Sequence, residues 1–390
     1  WLVVYGGCNF PDVPAAQGGT KVYYAEGYAL NTAETDAQWM KLPDLPVPVA
    51  YGATVSTGSK LYCLGGMNSK SGLKNVYEIR LDTLTKQFSV HQCTSLPVSI
   101  DNASATTDGQ FLYISGGNQG NNDQALYAYP TQGKGKWIKL ADYPGPTRIQ
   151  PALTSLPGYL FLAGGYQYDK QSGCVLSADM LPYNLQTHKW EAPISLPTDK
   201  NSNIRTLTGG AGVTLNDNAV LFTGGVNYAI FKAALEGNAG QDYLTHEPEW
   251  YQFNNDGLIW NASAQTWQVI PGMKGMEKAG GVLLIHKNTL YMICGEIKPG
   301  IWDLNTMYDY HALVNMMSPS SSRTVVENVL IPEGFTCRQI FALLEENRVC
   351  TAKDLAEYAA NGELKDYWFL ENVERGFEYC LEGFLFPDTY

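Results

Sequence analysis

The chain has 390 residues, of which 45% are apolar and 12% aromatic, so it is long enough for one large domain or two ordinary ones with real cores. This composition excludes an intrinsically disordered or fibrous protein. The formal net charge of −12, with no local basic stripe to offset it, argues against nucleic acid as a partner.

The first residues, WLVVYGGCNF, contain neither an initiator Met nor the charged region that opens a signal peptide. No apolar run approaches the roughly 18–20 residues that span a bilayer. We therefore expect a processed product or a fragment with no membrane span. Its compartment stays open between the cytoplasm and the periplasm or cell envelope.

The spacing of cysteine and histidine gives no sign of a metal site. Neither the eight cysteines nor the five histidines fall into a zinc-ligand pattern, and no two cysteines form a CxxC pair. Buried free thiols are favoured over disulfides. The glycine pairs of this chain end strands and do not open helices, so no nucleotide-binding loop is predicted either.

An apolar run that ends in two glycines recurs along the chain. The first glycine of each run, and the glycine of the sixth run LYMICGE, are Gly6, Gly65, Gly116, Gly164, Gly224 and Gly295. The spacings of 59, 51, 48, 60 and 71 residues are close to the roughly 50 residues of a kelch repeat. The first five runs are each followed by an aromatic residue that we expect to hold an outer strand: Trp39, Phe88, Trp137, Trp190 and Trp267. The sequence predicts an all-β fold, a six-bladed kelch-type β-propeller.

In the sixth run a glutamate, Glu296, stands where the other runs have their second glycine. A carboxylate at this strand end is expected to point into the central cavity, where ligands bind. The alternative is a tolerated surface variant. Asp101, Arg148 and Lys278 lie 15 to 17 residues before glycine pairs, at the start of the preceding strands. This combination suits a small anionic or polyhydroxylated ligand, with the cations as carboxylate clamps; each cation could instead be a solvated loop charge.

Six linked segments resemble one family, the N-acetylneuraminate epimerases or sialic acid mutarotases, in their circularly permuted form. The resemblance covers residues 1–301, about three quarters of the chain. It rests on GGCNFPDVPAAQGGTKVYY (6–24), PVAYGA (48–53), PGPTRIQPA (144–152), GGVNYAIF (224–231), HEPEWYQFN (246–254) and GEIKPGI (295–301).

The resemblance implies interconversion of the anomers of N-acetylneuraminate, without a cofactor, in a bacterial protein. The family's catalytic glutamate falls on Glu296, whereas the position of its partner arginine is Trp302, which can neither clamp a carboxylate nor donate as a guanidinium does. Arg148 or Lys298 would have to compensate. The substrate-binding residues predicted from these segments are Arg148, Asn9, Gln150, Asn227 and Lys298, and the spacing before the glycine pair adds Lys278.

The character of the chain changes after residue 301. Residues 302–390 hold 15 acidic and 6 basic residues and only 4 of the 39 glycines. The propeller is therefore predicted to end at residue 317, with a small α/β, LysM-like segment over residues 318–390. We expect a strand at 325–331 and helices announced by Thr336 and Thr351. The sixth blade loses its outer strand in this prediction, unless residues 307–314 supply a third strand, and the first blade lacks its innermost one.

The segment after residue 317 resembles the N-terminal part of YceG-like endolytic murein transglycosylases, through IPEGFTCRQIFALLEENRV and LEGFLFPDTY. The resemblance implies peptidoglycan as a partner and Glu382 as the acid. Because the catalytic domain of that family continues beyond this motif, we expect Glu382 to mark the origin of the segment more than to work as an acid. Since the two families are not normally joined, a fused or rearranged gene is favoured, with a natural two-domain protein as the alternative.

Three functions follow from these patterns. The leading one is a sugar mutarotase that acts through Glu296. The second is a non-catalytic kelch module that binds a glycan or a protein, because propellers host many unrelated roles. The third is a peptidoglycan-related fragment. An insertion at residues 228–250 is expected to form a lid over the cavity or a surface for a partner.

Overall fold

The computed structural model describes residues 1–12, 18–34, 37–58, 60–120, 124–132, 135–169, 173–240, 242–286, 289–298, 301–302, 331, 335–346, 351–361, 376–377 and 379–382. The chain forms two compact units. One contains Trp1–Thr32 and Trp39–Leu313, and the other contains Ala33–Gln38 and Val314–Tyr390. The predicted boundary at residue 317 lies outside the described residues and stays a prediction.

The first unit is built from consecutive antiparallel sheets. The first sheet has three strands, Leu2–Tyr5, Gly27–Leu30 and Met40–Leu42. The second has four strands, Ala53–Thr57, Lys60–Leu64, Val76–Leu81 and Phe88–Gln92. The third also has four, Ser104–Thr107, Phe111–Ser115, Leu126–Pro130 and Ile138–Lys139. Each strand pairs with the one that follows it within its sheet.

The later sheets repeat this order. The fourth sheet contains Ala152–Leu156, Tyr159–Ala163, Asp179–Asn184 and Lys189–Trp190, with Ile194–Ser195 also paired to its third strand. The fifth contains Gly210–Asn216, Ala219–Gly224, Gly257–Asn261 and Thr266–Ile270. The sixth contains Val282–His286 and Thr289–Ile293 among the described residues.

Short hairpins and helices lie between these strands. Four two-stranded ladders pair Cys8–Asn9 with Val22–Tyr23, Ile100–Asp101 with Asn118–Gln119, Tyr166–Asp169 with Gly173–Leu176, and Glu296–Lys298 with Ile301–Trp302. The insertion contains the helix Tyr228–Leu235 and the 3₁₀ helix Pro248–Tyr251. None of the helices in the described ranges is long and apolar enough to cross a membrane.

Each pair of consecutive sheets encloses its own apolar core. Leu64 and Tyr62 of the second sheet pack with Leu112 and Ile114 of the third. Equivalent clusters join the third to the fourth sheet, the fourth to the fifth and the fifth to the sixth. Sheets that pack face to face in chain order form a β-propeller. The predicted propeller fold is confirmed, whereas its closure with six blades stays a prediction.

The glycine pairs end the second strand of their sheets, where the next sheet comes close. A Cβ added to Gly65 would lie 2.3 Å from the carbonyl oxygen of Ile100, so only glycine fits there. The N–H of Gly66 donates to that same carbonyl at 2.7 Å. The glycine pair is therefore required by close approach of the backbone of the following sheet.

The predicted aromatic residues lie at the outer strands. Phe88, Trp190 and Trp267 are in the outermost strands of their sheets, and Trp39 and Trp137 immediately precede such strands. Three indole N–H groups donate to carbonyls that follow the outer strand of the preceding sheet: Trp137 to Thr94 at 3.0 Å, Trp190 to Ala141 at 2.8 Å and Trp267 to Ser195 at 3.0 Å. These bonds tie neighbouring sheets together at the rim.

Near the axis a second set of bonds joins the sheets. We call it the axial ladder, and it consists of Tyr51, Asn102, Gln150, Gly209 and Gly280. The N–H of Asn102 donates to the carbonyl of Tyr51 at 2.9 Å, and that of Gln150 donates to Asn102 at 2.8 Å. The N–H of Gly209 donates to the carbonyl of Gln150 at 2.9 Å, and that of Gly280 donates to Gly209 at 2.7 Å. All five have left-handed φ angles, from 53° to 71°. The start of five consecutive inner strands is thus fixed at one level.

The second unit contains two described helices, Cys337–Glu346 and Ala352–Asn361. The predicted capping box is confirmed, since the N–H of Thr336 donates to Gln339 Oε1 at 2.9 Å and the N–H of Gln339 donates to Thr336 Oγ1 at 3.3 Å. Phe341 and Ala359 pack into a small core between the helices. The predicted strand at 325–331 lies outside the described residues apart from Ile331, which is buried.

Candidate active site

The register of the sixth sheet differs from the one that the sequence suggests. Cys294 and Gly295 have φ angles of 59° and 88°, close to the 61° and 93° of Gly65 and Gly66. Cys294 therefore takes the place of the first glycine and Gly295 that of the second. The expectation that Glu296 replaces the second glycine is wrong by one residue.

Glu296 instead occupies the position that follows each glycine pair. The equivalent residues of the other sheets are Cys8, Met67, Asn118, Tyr166 and Val226. At this position the backbone pairs with the segment just before an inner strand. In the sixth sheet Glu296 exchanges two hydrogen bonds with Ala279, at 2.8 and 2.9 Å. The backbone thus holds a half-buried carboxylate at the level of the axial ladder.

The charge of Glu296 acts on two tyrosines from other parts of the propeller. Burial raises the pKa of Tyr51 well above its usual range, the thiol of Cys8 adds to the shift, and the charge of Glu296 raises it further. Burial, Tyr251 and the charge of Glu296 together raise the pKa of Tyr243 to about 12. Both phenols keep their protons at neutral pH. The surroundings of Glu296 therefore include two neutral phenols that can donate hydrogen bonds.

Tyr51 is held by two groups of the first sheet's hairpin. Lys21 Nζ donates to the Tyr51 hydroxyl at 2.7 Å, and Cys8 Sγ donates to it at 3.4 Å. The ammonium also lies 5.1 Å from the centre of the Tyr51 ring and 5.4 Å from that of Phe10. Sequence reasoning missed Lys21. Its only signal was its place within the quoted segment 6–24.

The predicted polar ligands have structural partners. Asn9 Oδ1 accepts from the Tyr24 hydroxyl at 2.7 Å. Gln150 belongs to the axial ladder, and its side-chain amide donates to Asn102 Oδ1 at 3.2 Å. Asn227 caps the helix Tyr228–Leu235, and its side chain accepts from two backbone N–H groups of the first turn.

Arg148 does not lie in the position of a substrate clamp. The residue is 1% exposed, and its guanidinium donates to Asp179 at 2.6 Å and to the carbonyl of Gly164 at 3.0 Å. The backbone explains this burial. The carbonyl of Arg148 accepts from the N–H of Gly117, as that of Ile100 does from Gly66, and the Ile100 side chain is buried between sheets.

The structure describes the side chain of the predicted ligand Lys278, but only the backbone of Lys298. Lys278 is half-buried, and its carbonyl accepts from the N–H of Gly225 at 2.7 Å, so its backbone position is equivalent to that of Arg148. Lys298 pairs through its backbone with Ile301, and Glu296 pairs with Trp302. The side chains of Lys298 and Trp302 lie outside the described part of the chain.

The insertion contributes the aromatic neighbours of the site. The ring of Phe231 packs edge-on against Tyr166 at 5.4 Å, and His246 stacks on Trp250 at 4.0 Å. Tyr243 packs against Tyr251 in the same cluster. The 3₁₀ helix Pro248–Tyr251 of the insertion lies close to the strand Glu296–Lys298, and the choice between a lid and a surface for a partner stays a prediction.

In the second unit, Glu382 accepts a hydrogen bond from the first turn of a helix. Its Oε2 accepts from the N–H of Cys337 at 2.8 Å, at the start of the helix Cys337–Glu346. A carboxylate in this place stabilises the helix. Its predicted role as an acid stays a prediction. Within the described ranges, no group of three or more His, Cys, Asp or Glu side chains is placed to hold a metal ion.

Comparison with known proteins now identifies the family. A family model described as N-acetylneuraminate epimerase matches residues 94–311. The N-acetylneuraminate epimerase of Yersinia enterocolitica is 30% identical over 221 residues, which are 53% of this chain and 54% of that protein. That of Haemophilus influenzae (strain PittEE) is 28% identical over 231 residues, 56% of this chain and 59% of that protein. The chain spans about half the length of the curated relatives it matches.

A solved structure has the same fold. The protein described as "Structure of YjhT" superposes with a TM-score of 0.53 and 17% identity, over 71% of this chain and 86% of that chain. At this identity the likeness concerns the fold alone. Because the family model spans more than half of the residues, the chain belongs to the N-acetylneuraminate epimerase family.

Proposed function

We propose that the first unit interconverts the α and β anomers of N-acetylneuraminate, with Glu296 as the proton-transfer group. The observation that supports this most is the place of Glu296, a half-buried residue paired through its backbone with Ala279 at the level of the axial ladder. The relatives named above are N-acetylneuraminate epimerases, which makes this sugar the first substrate to test.

The reaction needs only proton transfers. Glu296 takes the proton of the anomeric hydroxyl, the bond between C2 and the ring oxygen breaks, and C2 becomes a ketone. The ring oxygen becomes a hydroxyl by receiving the proton that Glu296 has taken, and Tyr51 or Tyr243 can donate a hydrogen bond to it as charge develops. Closure on the other face of the ketone reverses both transfers, so no proton is gained or lost.

A second candidate is a module that binds the sugar without exchanging its anomers. The observation in its favour is Trp302, which pairs with Glu296 through the backbone where the family resemblance implies an arginine. Tryptophan offers one neutral N–H and no positive charge. In this case sugar binding would survive while catalysis is lost.

The two candidates are separated by exchange NMR on freshly dissolved N-acetylneuraminate. We expect the chain to accelerate anomer equilibration and Glu296→Gln to fall to the rate of buffer, because the amide cannot take a proton. Glu191→Gln is the matched control, since Glu191 is exposed next to an outer strand. Equal rates for the unchanged chain and buffer would exclude the catalytic proposal. Equal acceleration by the chain and Glu296→Gln would exclude Glu296.

A further inference from the structure

The proposed reaction needs a positive charge near the substrate carboxylate, and neither Arg148 nor residue 302 supplies it. The substrate is a carboxylate, and its negative group is attached to C2, the carbon that reacts. Arg148 is buried and paired with Asp179, and residue 302 is a tryptophan. Of the other predicted cations, Lys278 has the backbone position of Arg148, and the side chain of Lys298 lies outside the described residues. A further cation among the described residues is therefore a candidate to bind this carboxylate.

Lys21 has the position and the chemistry for this role. It is half-buried, and its ammonium is fixed between Phe10 and Tyr51 by ring contacts and by the 2.7 Å bond to the Tyr51 hydroxyl. An ammonium has three N–H donors, and the bond to Tyr51 uses one of them. A lysine fixed in this way loses little further entropy when it binds an anion.

Tyr51 connects this ammonium to the candidate catalytic group. Its hydroxyl contacts Lys21 directly, and its ionisation responds to the charge of Glu296. Geometry supports the same connection, because Tyr51 and Gly280 both belong to the axial ladder and Glu296 pairs with Ala279, the residue before Gly280. The ammonium and the carboxylate are thus attached to the same level of the propeller, where an anion and a hydroxyl on one carbon atom can meet a cation and a base.

We infer that Lys21 binds the carboxylate of the sugar acid and so takes over the part that the partner arginine plays in the family resemblance. This inference rests on the proposed function, because it assigns a ligand group to the same site. It predicts that the first unit prefers sugar acids over neutral sugars of the same shape. The preference depends on the charge of Lys21 and not on its hydrocarbon stem.

The test compares binding of N-acetylneuraminate and of its uncharged methyl ester by titration calorimetry, for the full chain and three variants. Lys21→Met keeps the apolar stem over the rings and removes the charge, and Lys21→Arg restores a cation. Lys74→Met is the matched control, since Lys74 is an exposed lysine that donates to the carbonyl of Pro97. Circular dichroism of each variant checks that it folds.

We expect Lys21→Met to weaken binding of the acid by about 10- to 100-fold, the usual effect of losing a charge-assisted hydrogen bond. Binding of the methyl ester should change little, and Lys21→Arg should recover most of the affinity for the acid. A Lys21→Met variant that prefers the acid as strongly as the unchanged chain overturns the inference. So does an unchanged chain that binds both sugars equally or binds neither.

The outcome for Lys21 can be told apart from that for the reaction. Preference for the acid that is lost in Lys21→Met, without any acceleration of anomer exchange by the unchanged chain, supports the clamp and excludes the catalytic proposal. If the unchanged chain accelerates anomer exchange, and Lys21→Met does so too with the same substrate affinity, the catalytic proposal is supported and the carboxylate clamp is excluded.

Discussion

Arg148 and Asp179 form an ion pair at 2.6 Å inside the fourth sheet, where the side chain of Arg148 is 2% exposed and that of Asp179 is 30% exposed. The arginine also bonds the carbonyl of Gly164, the first glycine of its sheet's pair. It therefore connects the start of the sheet's inner strand to the end of the second strand and to the third strand. Its role in this structure is to hold the sheet together.

Replacement of Arg148 by methionine should lower the free energy of unfolding by about 3–5 kcal/mol, because it leaves the Asp179 carboxylate without its partner. Urea unfolding measures the change. Lys41→Met is the control, since Lys41 and Asp44 are more than half exposed and such pairs contribute about 0–1 kcal/mol. A stable Arg148→Met variant that no longer binds sialic acid would restore Arg148 as a substrate ligand.

The indole bonds at the rim give a comparison between two tryptophans. Trp190 donates to Ala141, whereas the N–H of Trp39 is buried with no partner among the described residues. Trp190→Phe should lose about 1 kcal/mol more stability than Trp39→Phe, because only the first change breaks a hydrogen bond. The shift of the urea midpoint measures both. Equal shifts would mean that ring packing alone accounts for the loss.

Cys294 should be replaceable by glycine with a gain in stability. A non-glycine residue at a φ of 59° is unfavourable by about 1–2 kcal/mol, and the greater freedom of glycine in the unfolded chain cancels part of that gain. Thermal unfolding of Cys294→Gly should therefore move upward by a few degrees. Cys174→Gly, in a paired strand, is the control and should move downward. A loss in both variants would contradict the assigned register.

The ionisation of Glu78 should make the stability of the protein depend on pH. Burial would raise its pKa, but hydrogen bonds from Tyr62, Arg80 and Lys60 outweigh burial and lower it. A carboxyl whose pKa is lowered on folding stabilises the protein above its unfolded pKa of about 4.3, and this stabilisation is lost as the pH falls through the folded value. The difference in unfolding free energy between the unchanged chain and Glu78→Gln should thus be largest near pH 7.

The control for this experiment is Glu191→Gln, at an exposed carboxylate. Its difference from the unchanged chain should stay within about 0.5 kcal/mol at both ends of the pH range. A Glu78→Gln difference that is constant with pH would show that the lost hydrogen bonds, and not the ionisation of Glu78, account for the change.

The repeat in the sequence was enough to predict the sheets and the place of their outer strands. Glycine pairs and the following aromatic residues serve contacts that recur between neighbouring sheets, namely close backbone approach at Gly65 and rim bonds from Trp190 and Trp267. Because the same contact recurs from sheet to sheet, it leaves a periodic pattern in the sequence. The repeat therefore indicated the fold before any particular contact was known.

The site was less predictable because its residues depend on register and on contacts between sheets. Cys294 adopts the left-handed backbone conformation of the first glycine in a pair. The sequence pattern therefore assigns Glu296 to a register position one residue away from the one it has in the structure. Spacing alone could not show that Arg148 faces a core position equivalent to Ile100. Lys21 reaches Tyr51 from a different sheet, 30 residues away in the chain, and no periodicity reports such a contact.

The axial ladder has a direction. Each amide from Asn102 to Gly280 donates to the sheet before it, so the peptide groups follow one another around the axis in a single sense. A residue that extends the ladder beyond Gly280 must donate its N–H to the carbonyl of Gly280 and offer its own C=O to the next residue of the ladder. Proline cannot do so, because it has no N–H. The hydrogen bonds of the ladder thereby restrict which residues can extend the propeller at this level.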